Sequence, residues 1–109
     1  MNVHAIVKDY MTAWNRRDEQ TLANLFHQDV TLKDWDVEVT GNSSVVGANA
    51  QIWSNIPDIH ILIMHIDVCE NKAFAEIAVT SDKEKLHLRV VDVITIQDNK
   101  IISVDAFKQ

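Results

Sequence analysis

From residue 59 onward the apolar residues fall at alternate positions, in runs separated by turns of only three or four residues. "IHILIMHIDV" (59–68) is followed by "ENK", then "AFAEIAVTS", "DKE", "LHLRVVDVITI" (86–96), "QDNK" and "IISVDAFK". A period of two is the signature of a strand, and turns this short join antiparallel neighbours. This half of the chain is therefore expected to fold as a β-meander. The first run is apolar at both sets of alternate positions, which predicts a strand covered on both sides.

The other half has a different period. Val3, Ile6, Val7, Tyr10, Met11 and Trp14 recur at i, i+3 and i+4, the stripe of an amphipathic helix. "NRRD" interrupts the stripe, and Asp18 is placed to cap a second short helix carrying Leu22, Leu25 and Phe26. From Val30 the period becomes two, with Val30, Leu32, Asp34 and Asp36 on one strand face. "VEV" continues extended and "TGNSS" reads as a turn. "VVGANAQIWSNI" predicts a third helix, entered near Gly47 and stopped before Pro57. Helices followed by a meander give an α+β fold, with helices on one face of a curved sheet.

Composition removes several functional classes. A chain of 109 residues supports one core, so residues 1–109 are expected to form one domain. A net charge of −6, with Arg16-Arg17 the only basic doublet, argues against nucleic-acid binding. No apolar run approaches the roughly 20 residues of a membrane span. The N-terminus lacks a signal-peptide pattern and Cys69 stands alone, which points to the cytoplasm. His60 and His65, five apart on a strand, are expected on opposite faces, and the remaining histidines lie on other elements. No metal site is predicted.

Three polar residues contradict their own segments. Asp92 interrupts the aliphatic row Leu86, Leu88, Val90, Ile94 and Ile96. Asp34 follows Val30 and Leu32 on the inward face of the first strand, and Tyr10 sits inside the apolar stripe of the first helix. Burying an unpaired carboxylate costs several kcal/mol, on the order measured in relaxed proteins. Asp92 must therefore find partners or keep its proton. A protonated carboxyl beside a tyrosine hydroxyl makes a two-donor oxyanion hole, and a second, ionised carboxyl at Asp34 supplies a base.

"YMTAWNRRD", "LANLFHQDVTLKD" and "VVDVITIQDNKIISV" resemble the nuclear transport factor 2-like superfamily, most closely its ketosteroid isomerases and SnoaL-like proteins. The resemblance spans nearly the whole chain. It implies a cone-shaped fold in which N-terminal helices pack on a curved, mainly antiparallel sheet and enclose a pocket. It also implies a cofactor-free isomerase in which Asp34 moves a proton through a dienolate on a small apolar ketone. Tyr10 and protonated Asp92 would then hold the enolate oxygen, with Trp14, Phe26 and Trp53 as substrate-binding aromatics. The sequence departs from the isomerases after Asp34, where "WDVEVTG" replaces their proline and glycine. A SnoaL-like polyketide cyclase and a non-catalytic ligand-binding or dimerisation module remain as alternatives. A homodimer through the sheet is expected under each. The Asp–Arg–Asp pattern of limonene-epoxide hydrolases is absent, because Arg89 and Asp92 are three apart and point to opposite faces.

Overall fold

The apolar stripe at the start of the chain forms helix α1 (Val3–Asn15) in the computed structural model, which describes residues 2–109. Asn2 caps it, its Oδ1 accepting the Ala5 amide at 2.9 Å, and Val3, Val7, Tyr10, Met11 and Trp14 all turn inward. Asp18 caps helix α2 (Glu19–Leu25) through the amide and hydroxyl of Thr21. Phe26 is already extended and opens strand β1 (Phe26–Lys33). The first strand therefore starts four residues before Val30 and ends one before Asp34. Strand β2 (Glu38–Thr40) folds back on β1.

Helix α3 (Asn42–Asn55) starts well before Gly47. The glycine that admits it is Gly41, whose φ of 101° is open to a residue without a side chain. Asn42 then ties the helix start to the end of α2, its Nδ2 donating to the carbonyls of Ala23 and Phe26. "TGNSS" is thus a helix entrance rather than a free turn.

The meander forms as β3 (His60–Cys69), β4 (Lys72–Ser81), β5 (Leu86–Gln97) and β6 (Lys100–Lys108). Asp98 and Asn99, with φ of 55° and 61°, make the two-residue turn between β5 and β6. The six strands lie in the order β2-β1-β6-β5-β4-β3, antiparallel throughout except where β1 runs parallel to β6. The sheet stays open, and α1 and α3 cover one face of it. The α+β fold and the helices-on-sheet arrangement are as expected from the periodicity.

Strand β3 departs from expectation. It is an edge strand with no cover on its outer side, where Leu62 and Met64 stand exposed. Its register with β4 shifts between Ile63 and His65, so Met64 is an extra residue and His65 pairs opposite Glu76. This bulge resets the alternation, and His60 and His65 fall on the same face of the sheet. Among the described residues no group of three or more His, Cys, Asp or Glu side chains is placed to hold a metal.

Candidate functional site

The inner face of the sheet and the helices enclose a cavity of about 370 Å³. Its sides are aliphatic, with Ile56, Ile59, Ile61, Ile77, Leu88 and Val90 prominent among them. Tyr10 and Trp14 reach it from α1, Asp92 from the middle of β5, and Asp34, Trp35 and Asp36 from the segment after β1. Three residues that break their own patterns, Tyr10, Asp34 and Asp92, therefore meet at one cavity.

The alternation of β5 fixes where Asp92 points. It pairs with Ala75 on β4 and Ala106 on β6, two residues too small to cover its carboxyl from the sides. Asp92 is only 6% exposed, and among the described residues no donor or cation is bonded to it. Burial first, and the negative charge of Asp34 second, push its pKa up to about 7. Tyr10 is buried as well, and among the described residues its hydroxyl too has no bonded partner. Burial, then the charge of Asp92, lifts its pKa above the ordinary tyrosine value. Both groups thereby keep their protons at acid pH, and both face the same cavity.

Asp34 is built differently. It is half-buried, and its Oδ1 accepts the amides of Asp36 and Val37, each at 2.7 Å. The Asp34 amide in turn donates to the Val37 carbonyl at 2.8 Å. The side chain thus caps the "DWDV" turn, and Asp34 is at the same time one of the residues lining the cavity. Trp35 at the tip is 43% exposed, with the Lys108 ammonium 5.1 Å from its ring centre.

The aromatic residues separate into two layers. Trp14 lines the cavity. Phe26 and Trp53 stand behind the lining: Phe26 packs on Tyr10 with ring centres 5.7 Å apart, and Trp53 meets Trp14 edge-on at the same distance. Asn49, buried on α3, accepts the Trp14 indole N–H at 2.9 Å and donates to the Val45 carbonyl at 3.0 Å. Its role is invisible in the sequence, where it is one polar residue in a helix of low amphipathicity. An i to i−4 backbone bond with a tryptophan as second partner emerges only in three dimensions.

Arg89 lies on the opposite face of the sheet, paired with Glu76 at 3.1 Å. Among the described residues no arginine lines the cavity.

Solved structures share this architecture. A candidate ketosteroid isomerase from Kribbella flavida superposes with a TM-score of 0.86 at 18% identity, covering 98% of this chain and 77% of its own. A candidate SnoaL-like polyketide cyclase from Jannaschia sp. gives 0.87 at 11% identity, with 98% and 85% covered. An LEH-like epoxide hydrolase of M. tuberculosis gives 0.85 at 13% identity, with 98% and 82% covered. At such identities the likeness concerns the fold. Among curated proteins none matches the sequence significantly. The profile of the SnoaL-like domain, in contrast, matches residues 7–104, and the chain belongs to that family.

Proposed function

We propose that the cavity binds a small apolar carbonyl compound and shifts a proton on it through an enolate. The observation that carries this reading is that Tyr10 and Asp92, buried and without a bonded partner among the described residues, share a mainly apolar cavity with Asp34 and Asp36. An apolar guest supplies the burial. Its carbonyl oxygen can accept hydrogen bonds from both the tyrosine hydroxyl and the protonated carboxyl.

In this mechanism the Asp34 carboxylate removes the α-proton of a β,γ-unsaturated ketone. The electron pair of the broken C–H bond moves into a dienolate, whose oxygen accepts hydrogen bonds from Tyr10 and neutral Asp92. Asp34 then returns the proton to the γ-carbon, giving the conjugated ketone and restoring the carboxylate. No cofactor enters the cycle. Since Asp92 donates only while protonated, the rate falls as pH rises through about 7. A SnoaL-like cyclisation would use the same base and oxyanion hole on a substrate carrying a second carbonyl. Epoxide hydrolysis by an Asp–Arg–Asp site is disfavoured by the position of Arg89.

One observation favours a purely binding role. The turn-capping bonds of Asp34 give that carboxyl a structural use that needs no chemistry. Proton exchange at the α-carbon of a β,γ-unsaturated ketone in heavy water, followed by NMR, separates the two. Exchange by the wild type and its loss in Asp34→Asn support the enzyme. Binding without exchange supports the ligand carrier.

The outer sheet face supports a homodimer. Phe74 (41% exposed), Leu62 (55%) and Phe107 (59%) stand there, with Val91 and Val93 between them on β5. A second copy of the same open face is the cover we propose, and Phe107→Glu is expected to yield a monomer in sedimentation. Among the described residues no helix is long and apolar enough to cross a membrane, and the lone, exposed Cys69 is the feature that supports a reducing, cytoplasmic setting.

A further inference from the structure

The turn that ends α1 is built on a residue poorly suited to it. The Arg17 amide donates to the Trp14 carbonyl at 3.1 Å and the Asp18 amide to the Ala13 carbonyl at 3.0 Å, the paired bonds of a Schellman motif. The motif requires a left-handed residue at position 17, and Arg17 has a φ of 57°. Glycine fills that position at lower cost, because a Cβ is crowded there. An arginine kept in this conformation calls for a return from its side chain.

The side chain supplies one. The guanidinium crosses from α1 to the segment that joins α3 to β3, donating to the carbonyls of Pro57 at 2.8 Å and Ile59 at 2.6 Å. A third bond, to the Asn15 carbonyl at 3.1 Å, anchors it at its own end. Its central carbon lies 5.8 Å from the Trp14 ring centre and 6.0 Å from that of Trp53. Next to it, Asn15 grips the Ile61 backbone in both directions, donating to its carbonyl and accepting its amide at 2.8 Å each. The segment so held carries Ile56, Ile59 and Ile61, three residues of the cavity wall, and the indole beneath the guanidinium is Trp14, a fourth.

We infer that Arg17 is a positioning residue for ligand binding: its guanidinium fixes the Ile56–Ile61 wall and the Trp14 indole at the spacing the ligand meets. It touches no ligand itself, since it lies behind the lining. A planar fork with several donors is suited to bridging two carbonyls and capping two rings at once, which a lysine ammonium is not. The inference rests on the cavity being the ligand site, and the test separates the two claims.

Arg17→Gly removes the guanidinium and also the left-handed strain, so the turn itself is eased. Methyl NMR of Ile56, Ile59 and Ile61 reports on the wall without any ligand, and 2-naphthol, an apolar hydroxylic ring compound, serves as the binding probe. The expected result is displaced or broadened wall methyls, an undisturbed β5–β6 region, and a loss of 2-naphthol affinity of about tenfold. Wall methyls superimposable on those of the wild type overturn the inference. So does a displaced wall with unchanged 2-naphthol affinity. If the wild type takes up no 2-naphthol, the cavity reading fails, and with it the binding role of Arg17. Should Arg17→Gly fail to fold, Arg17→Lys keeps the charge and backbone while losing the fork, and the same outcomes apply.

Discussion

Strand β5 carries a charge on each face, and the two are treated in opposite ways. On the outer face Arg89 meets Glu76 across the ladder at 3.1 Å, both side chains about two-fifths open to solvent. On the inner face Asp92 is almost fully buried, and among the described residues no cation or donor is bonded to it. A carboxylate present only to hold a sheet together is expected to resemble the first arrangement, because an unpaired buried charge destabilises the fold. The second arrangement costs stability and provides none in return. On the proposed function, what it provides is a proton donor in an apolar cavity, which is why the inner face is the one to examine for chemistry.

The largest effect should come from the base. If Asp34 carries the proton, Asp34→Asn lowers the rate of enone isomerisation by about 10²–10⁴-fold, the usual worth of a positioned general base. The fold should survive, because an asparagine oxygen can still accept the amides of Asp36 and Val37. An unchanged rate in a folded variant removes Asp34 from the mechanism.

Asp92→Asn tests the inner face directly, through stability as well as rate. In the fold this carboxyl releases its proton near pH 7, whereas its unperturbed value is 3.8. Between those values this group binds fewer protons in the unfolded chain than in the native one, so its contribution to stability falls as pH rises and levels off above about 7. Asparagine mimics the protonated form and escapes this loss. The variant is therefore expected to be more stable than wild type at about pH 8, by up to roughly 4 kcal/mol, with the gap closing near pH 4. Urea unfolding at the two ends of the range measures it. A gap between wild type and variant that does not widen from about pH 4 to pH 8 would mean that Asp92 is paired, and the contrast between the two faces would disappear.

Most of the architecture was legible because burial writes itself as a period. The stripe of α1 and the meander from residue 59 follow from spacing alone, and the misplaced letters Tyr10, Asp34 and Asp92 pointed to one cavity. What was illegible depends on contacts between distant segments. The bulge at Met64 leaves the local pattern intact while turning His65 onto the face of His60. The outer side of β3 looked covered because Leu62 and Met64 are apolar, but the sequence of one chain does not say what covers them. Phe26 and Trp53 show the same limit, since aromatic character marks burial and not which layer of the wall a ring occupies.

A smaller effect is expected where a polar group of the inner face is satisfied. Trp14 shares the cavity with Asp92, yet its indole N–H is bonded to Asn49. Asn49→Leu strands that N–H in a buried position, at a cost of about 1–3 kcal/mol. Thermal unfolding measures the cost. Unlike the loss at Asp92, it should not vary between acid and neutral pH, because neither partner titrates there. A pH-dependent loss would show that Asn49 acts through the carboxyl after all.

The smallest effect belongs to the outer face, and its size depends on assembly. For an isolated chain Glu76→Gln should change stability by at most about 1 kcal/mol, since a half-exposed ion pair is screened by water and salt. A second copy laid over Leu62, Phe74 and Phe107 would remove that water. Loss of one partner would then leave Arg89 desolvated and uncompensated, and the cost would rise to about 3–5 kcal/mol. The substitution should therefore be near neutral in dilute protein and grow costlier as protein concentration rises. Unfolding followed across a concentration series, beside sedimentation of the same samples, gives both quantities. A small cost at every concentration would leave the outer face solvated and its ion pair incidental. A cost that grows with association would show that this pair, too, is buried in the working protein, distinguished from Asp92 by having a partner.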